Sequence, residues 1–165
     1  MRQAININEK WAFTKDTDEI PKEMPKRWCW VHLPHTWNNI DGQDGNNDYY
    51  RGTGYYAKMI KRAELPKADK YFLEIRGANS SADIYVDITK ELKEESLLVI
   101  TVDNSQNDSV YPQMADFTFY GGLYRDVNII GVSAAHFDLE YCGGEGLQVT
   151  PVLQGNDAEI TIETW

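Results

Sequence analysis

The stretch Asp116-Phe117-Thr118-Phe119-Tyr120-Gly121-Gly122-Leu123-Tyr124-Arg125-Asp126-Val127 gathers most of the chemistry this chain offers. A carboxylate precedes alternating aromatics, a Gly-Gly turn and an Arg-Asp pair that leads into the apolar run Val127 to Ile130. Two carboxyl groups near one bond can divide acid and base work between them. Ten residues of strand and turn separate Asp116 from Asp126, however, and Asp126 adjoins Arg125, so Asp126 reads as a salt-bridge or turn carboxylate. Asp116 has two readings: it accepts hydrogen bonds from the hydroxyls of a ligand, or it caps the turn before Phe117 to Tyr120. The segment from Asn38 to Asp48 is the other polar cluster, with Asp41, Asp44, Asn46, Asn47 and Asp48 among glycines. It lacks the apolar residues needed to pack and reads as a surface loop. Its spacing is not that of an EF-hand and no glutamate closes it, so no metal site is expected. His35 and Trp37, flanking Thr36 after Pro34, read as anchors of a loop against the core, while His32 and His136 carry no partner signal.

These residues have to be positioned by strands. Candidate strands are Ala4–Ile7, Trp28–Leu33, Tyr55–Ile60, Lys70–Ile75, Ala82–Val86, Leu97–Asp103 and Gly122–Val132, with further segments near Phe137–Tyr141 and Leu147–Leu153. They are rich in Val, Ile, Tyr and Phe and are divided by Gly, Pro, Asn and Asp clusters. Ile88–Glu95 alone has room for a helical turn, with Thr89 as its cap. Many short strands with polar turns predict an all-β protein, an antiparallel β-sandwich. Trp28, Trp30, Tyr56, Phe72, Ile75, Tyr85, Val99 and Val127 are its expected core. The 165 residues suffice for one domain with a real core, and the net charge of −10 with no Lys/Arg cluster argues against a nucleic-acid partner. No apolar run approaches the roughly 20 residues of a membrane span. Cys29 and Cys142 lie far apart without metal-ligand spacing and read as two free, partly buried thiols, with a single disulfide as the alternative. The first residues carry no signal-peptide core, which leaves both a periplasmic and a cytoplasmic bacterial location open.

The motif around Asp116 resembles the Asp-Phe-Trp-x-Tyr-Gly-Gly-Ile-Tyr-Arg-Asp-Val segment of glycoside hydrolase family 2, the β-galactosidase and β-glucuronidase family. Three further segments are similar to that family in the same order: Val31-His32-Leu33-Pro34-His35-Thr36-Trp37, then Tyr49-Tyr50-Arg51-Gly52-Thr53-Gly54-Tyr55-Tyr56, then Phe72 to Val86. The resemblance covers roughly residues 5 to 150. It implies a galactose-binding-domain-like jelly roll, the N-terminal, non-catalytic sugar-binding domain of a retaining β-glycosidase. The catalytic glutamates of such an enzyme lie in a separate barrel domain, so no catalytic residue, metal or cofactor is expected on this chain. The resemblance assigns Asp116 to the first sugar subsite. Asn47 and Asp48 are the best matches to a second active-site loop, with a solvated turn as their alternative. The implied partners are a carbohydrate substrate, galactose being the expected sugar, and the barrel and immunoglobulin-like domains of the same polypeptide. A homo-oligomeric parent is compatible with this. A free-standing carbohydrate-binding module and a ligand-free structural sandwich are the competing readings.

Two places depart from the family pattern. After Ile84-Tyr85-Val86 an Asn-Gly hairpin turn and a further strand are expected, yet Asp87-Ile88-Thr89 follows at once. Deleting a strand would expose a sheet edge, so omitted residues and a break between Val86 and Asp87 are expected. Near the end, Ala158 to Glu163 alternates like the first strand of another β domain. The expected organisation is therefore a sugar-binding domain over residues 1–154 and the truncated start of an immunoglobulin-like sandwich over 155–165.

Overall fold

Alternation of apolar and polar residues builds two four-stranded antiparallel sheets whose facing sides share one core. The computed structural model describes residues 2–165 except 16, 18, 40–48, 79–83, 107–118 and 142–145. The first sheet has the order β1 (Gln3–Asn6), β10 (Val127–Val132), β6 (Lys70–Ile75), β7 (Ile84–Asp87). The second has the order β3 (Cys29–Val31), β2 (Trp11–Thr14), β5 (Thr53–Lys61), β8 (Glu95–Asp103). Every pairing is antiparallel. A short ribbon of β4 (His35–Thr36) and β9 (Gly122–Leu123) stands at one end. The antiparallel β-sandwich expected from the sequence is thus the observed fold.

The register explains the core. Ile5, Ile129 and Leu73 lie in one cross-strand row, Val127 and Ile75 in the next, and all face the second sheet. Trp11, Phe13, Tyr56, Ile60, Ile100 and Val102 meet them from the other side. The first sheet is apolar on its outer face too: Phe72, Ile130 and Val132 pack there with Leu139. Sinking Trp11 and Tyr56 completely out of water removes well over 100 Å² of ring surface each.

Several expectations need correction. Of the expected core, Tyr56, Phe72, Ile75 and Val127 are buried, but Trp30 is 62% exposed and Trp28, Tyr85 and Val99 are half-buried. Trp30 pairs with Ala12 on the edge strand β3, so it points away from the face that carries Trp11 and Phe13. Residues Phe137 to Tyr141 form no strand, and Gly122–Val132 is two strands, not one. Over Ile88–Glu95 the expected single turn forms, closed by Leu92 N–H to Ile88 O, but Asp87 Oδ1, not Thr89, accepts at its start. A 3-10 turn spans Arg62–Glu64. Cys29 is a free thiol and exposed, not partly buried, while Cys142 falls outside the described residues.

No break separates Val86 from Asp87. β7 runs straight through the junction, with Val86 opposite Leu73 and Asp87 opposite Phe72. β7 is the outermost strand of its sheet, and Ile84 and Val86, on the core-facing side, are 42% and 43% exposed.

Leu147–Gln154 and Asp157–Thr164, β11 and β12, pair only with each other among the described residues. Gly155, with φ 65°, opens the two-residue turn between them, where a positive φ suits glycine. One face of this hairpin is apolar, from Leu147, Val149, Leu153, Ile160 and Ile162, and the other carries Gln148, Glu159 and Glu163. Its base is tied to the sandwich by Asp138 N–H to Trp165 O and by stacking of Trp165 on Tyr141, with centroids 4.0 Å apart.

Candidate sugar-site loops and their buried clamp

Asp116, Asn47 and Asp48 all lie outside the described residues, within 107–118 and 40–48. The flanks of both segments are described, and a pair of fully buried asparagines brings them together. Asn38 stands just before the first segment and Asn104 just before the second, and neither is exposed at all. Asn38 Oδ1 accepts from Gly121 N–H at 2.7 Å and from Asn104 Nδ2 at 3.2 Å, and Asn38 Nδ2 donates to Tyr50 O at 2.9 Å. Asn104 Oδ1 accepts from Gly52 N–H at 2.8 Å, while its Nδ2 lies 3.0 Å from Phe119 O and 3.2 Å from Tyr50 O. The entry and exit of both loops thereby meet in one hydrogen-bonded knot. Buried amides are stable only when their groups are satisfied, and here the backbone at the loop ends supplies the partners.

Around the knot, aromatic groups fix the same four chain ends. The Arg51 guanidinium lies between the rings of Tyr49 and Phe119, 5.8 and 5.7 Å from their centroids, and Arg51 Nε donates to Asn104 O. Phe119 N–H points to Tyr49 Oη at 3.4 Å. Trp37 is buried beneath, stacked on Phe13 with centroids 5.8 Å apart. Two glycines make room for its indole: a Cβ on Gly121 would fall 1.9 Å from Trp37 Cζ2, and one on Gly54 would fall 2.4 Å from Cζ3. The second glycine of the pair, Gly122, has φ 141° and passes so close to His35 O that a Cβ would sit 2.2 Å away. Gly-Gly is thus required twice over, once for space and once for backbone angle.

His35 completes the frame. Tyr56 Oη accepts from Leu123 N–H, so its own proton goes to His35 Nδ1, 2.8 Å away. That arrangement needs a neutral imidazole, and burial indeed holds His35 below its ordinary pKa. Burial likewise raises the Tyr56 hydroxyl. His35 and Trp37 therefore anchor this part of the chain against the core, as the sequence predicts. Asp126 is held by a long-range contact where a local salt bridge or turn was expected, its Oδ1 accepting from Asn8 Nδ2 at 2.7 Å.

The remaining ionisable cluster lies elsewhere. Glu74, buried on the outer face of the first sheet, accepts from Asn128, Tyr85 and Arg76. Burial alone would raise its pKa, but these three hydrogen bonds and the Arg76 charge together bring it below the ordinary glutamate value. No group of three or more His, Cys, Asp or Glu capable of holding a metal occurs among the described residues. Sequence reasoning missed Asn38 and Asn104. It assigned Asn38 to a solvated loop, and it had no signal for a contact between residues 66 positions apart.

No family model matches the chain. It is 31% identical over 148 residues to a β-glucuronidase of Bacteroides fragilis, covering 78% of this chain and 21% of that protein. It is 26% identical to a β-galactosidase of Thermoanaerobacter pseudethanolicus, covering 99% of this chain and 24% of the relative. Among solved structures, an FMN-binding β-glucuronidase from Faecalibacterium prausnitzii superposes with a TM-score of 0.82 at 37% identity, covering all of this chain and 28% of the other. The chain thus spans between about a fifth and a third of the proteins it matches.

Proposed function

Starting from a chain that is an N-terminal domain of the β-glucuronidase and β-galactosidase type of glycoside hydrolase, we propose that it forms the non-catalytic wall of a sugar subsite in a retaining β-glycosidase. Asp116 accepts hydrogen bonds from hydroxyls of the terminal sugar, and Asn47 and Asp48 approach the same sugar from the second loop. The observation that carries this reading is the Asn38–Asn104 knot, which fixes the bases of both loops to one point. A carboxylate suits the task because charge-assisted hydrogen bonds exceed neutral ones. The bond-breaking carboxyl groups belong to another part of the parent polypeptide, so the 165 residues alone turn over no substrate. A β-glucuronide is favoured over the galactoside that the sequence suggests, since the relatives at 31% and 37% identity are named β-glucuronidases and the β-galactosidase stands at 26%. The β11–β12 hairpin is read as part of the next, immunoglobulin-like unit of that polypeptide, which places the domain boundary before Leu147 and not at 154/155, where the sequence suggested it.

The test is Asp116→Ala in the intact enzyme. Losing one charged hydrogen bond of roughly 1.5–3 kcal/mol lowers kcat/KM about ten- to a hundredfold, with an unchanged thermal midpoint. A lower midpoint with unchanged kcat/KM returns Asp116 to capping a turn.

A further inference from the structure

The strand period fixes which residues of the second sheet face outward. Trp11, Phe13, Tyr56 and Ile100 turn toward the core, so Ala12, Tyr55, Ala57 and Val99, each one place along, turn away from it. The register then sets Trp30, Ala12, Ala57 and Val99 in one outward row and Thr14, Tyr55 and Thr101 in the next. Trp28 joins the second row, its ring 6.4 Å from that of Tyr55 and tilted 59° to it. Trp30 stands at the end of its row on β3, the outermost strand, and is 62% exposed. Ala12 and Ala57 are wholly buried even though their row faces outward, so that row presents its large end members and not its alanines. Neither row holds a charged residue, in a chain that is otherwise 25% charged.

Two indoles two positions apart along a strand are spaced by roughly 6.6–6.8 Å, and both lie on the same side of the sheet. Trp30 exposes roughly 100–150 Å², and Trp28 and Tyr55 beside it are half-buried. Such a patch stays far below the about 800 Å² that each partner gives to a stable protein interface, which favours a small or thin ligand over a second copy of the chain. An aromatic face is electron-rich and takes polarised C–H groups. A pyranose offers C–H groups on its ring face and hydroxyls around its rim. Thr14, Tyr55 and Thr101 supply hydroxyl partners in the adjoining row, and the lack of charge there matches a neutral sugar.

We propose that Trp28 and Trp30 form a docking track for an extended, neutral, β-linked oligosaccharide, a sugar contact that does not involve Asp116, Asn47 or Asp48. The two rings engage neighbouring residues of one glycan chain along the edge of the second sheet. The choice of a β-linked chain rests on the β-glycosidase reading above; the place rests on the two exposed rows.

The experiment is calorimetric titration of the intact parent polypeptide with cellohexaose and β-1,4-galactohexaose, and with maltohexaose as the α-linked comparison. Binding of at least one β-linked hexasaccharide more tightly than maltohexaose is expected. Trp30→Leu and Trp28→Leu should each weaken it about three- to tenfold, the worth of one ring contact, and Trp30→Tyr should recover most of the loss. Leucine keeps apolar cover over the alanines, so thermal midpoint, oligomeric state and kcat/KM on a nitrophenyl β-glycoside should match wild type. No β-linked hexasaccharide binding, or binding that neither leucine variant weakens, overturns the inference. A lower midpoint, an altered oligomeric state or a lower kcat/KM in Trp30→Leu also overturns it, because the face would then be packed against another domain or subunit. Asp116→Ala should leave the Trp30-dependent part of the affinity intact, so this inference and the subsite reading can fail separately.

Discussion

Replacing Asn104 by alanine tests whether the loop bases are held as described. Its side chain accepts from Gly52 N–H and reaches Phe119 O, Tyr50 O and Asn38 Oδ1. Tyr50 O keeps Asn38 Nδ2 as a donor, but Gly52 N–H and Phe119 O lose their side-chain partner. A buried polar group left unsatisfied costs about 1–3 kcal/mol, and the half-exposed Gly52 amide falls at the low end. The expected loss is therefore about 2–4 kcal/mol, read from urea denaturation of the 165-residue chain. Asn104→Asp sharpens the test. Its carboxylate keeps the acceptor for Gly52 but turns a second oxygen toward three others, so its folded pKa rises above the unfolded value of about 3.9. A raised acid pKa gives stability that is full below pH 3.9 and is lost as pH rises through the folded value. At pH 7 Asn104→Asp should be less stable than Asn104→Ala, and near pH 4 the difference should shrink. An alanine variant within about 0.5 kcal/mol of wild type, or an aspartate variant without that pH dependence, would refute the clamp.

Two other outcomes follow from the same physics. Gly121→Ala drives a methyl into the Trp37 indole, and overpacking of this kind should cost about 1–3 kcal/mol; Trp37→Phe combined with it should return part of that loss in the same denaturation assay, and a neutral Gly121→Ala would show that the indole is not confined. Glu74 has a folded pKa below its ordinary value, so its contribution is present above about pH 4.3 and is lost as pH falls through the folded value. Glu74→Gln should therefore be less stable than wild type at pH 7 and closer to it at pH 3, and a gap that stays constant between these pH values would contradict the hydrogen-bonded carboxylate.

The strands were legible because period-two alternation and turn residues are local signals. Lys70–Ile75 is observed with the bounds the sequence suggests. Trp11–Thr14 went unread because four residues flanked by polar ones give too short a pattern, although it carries two of the core aromatics. Trp30 shows the limit of alternation: the period puts Trp28 and Trp30 on one face, but which face meets the core depends on pairing with Ala12 across the sheet. Gly121-Gly122 was legible as glycines the backbone requires, but Gly122 opens β9 where a turn was expected, and the partner of Asp126 is Asn8, 118 residues away, not the adjacent Arg125. The asparagine knot was not legible, since its meaning exists only once four distant chain ends converge.

That convergence bears on how a loop carboxylate can serve a sugar subsite. A group on a free loop loses conformational entropy when it binds, at roughly 1–2 kcal/mol for each residue fixed, which would consume the gain from one charged hydrogen bond. Anchoring both loops at Asn38 and Asn104, over the buried Trp37, settles part of that cost during folding. Both anchors are neutral amides, so they bring no charge to compete with a carboxylate for the ligand's hydroxyls. Burial likewise holds His35 below its ordinary pKa, so the same frame keeps it neutral beside Tyr56. On the function proposed above, such an arrangement suits the domain: rigid neutral anchors at the bases of two polar segments.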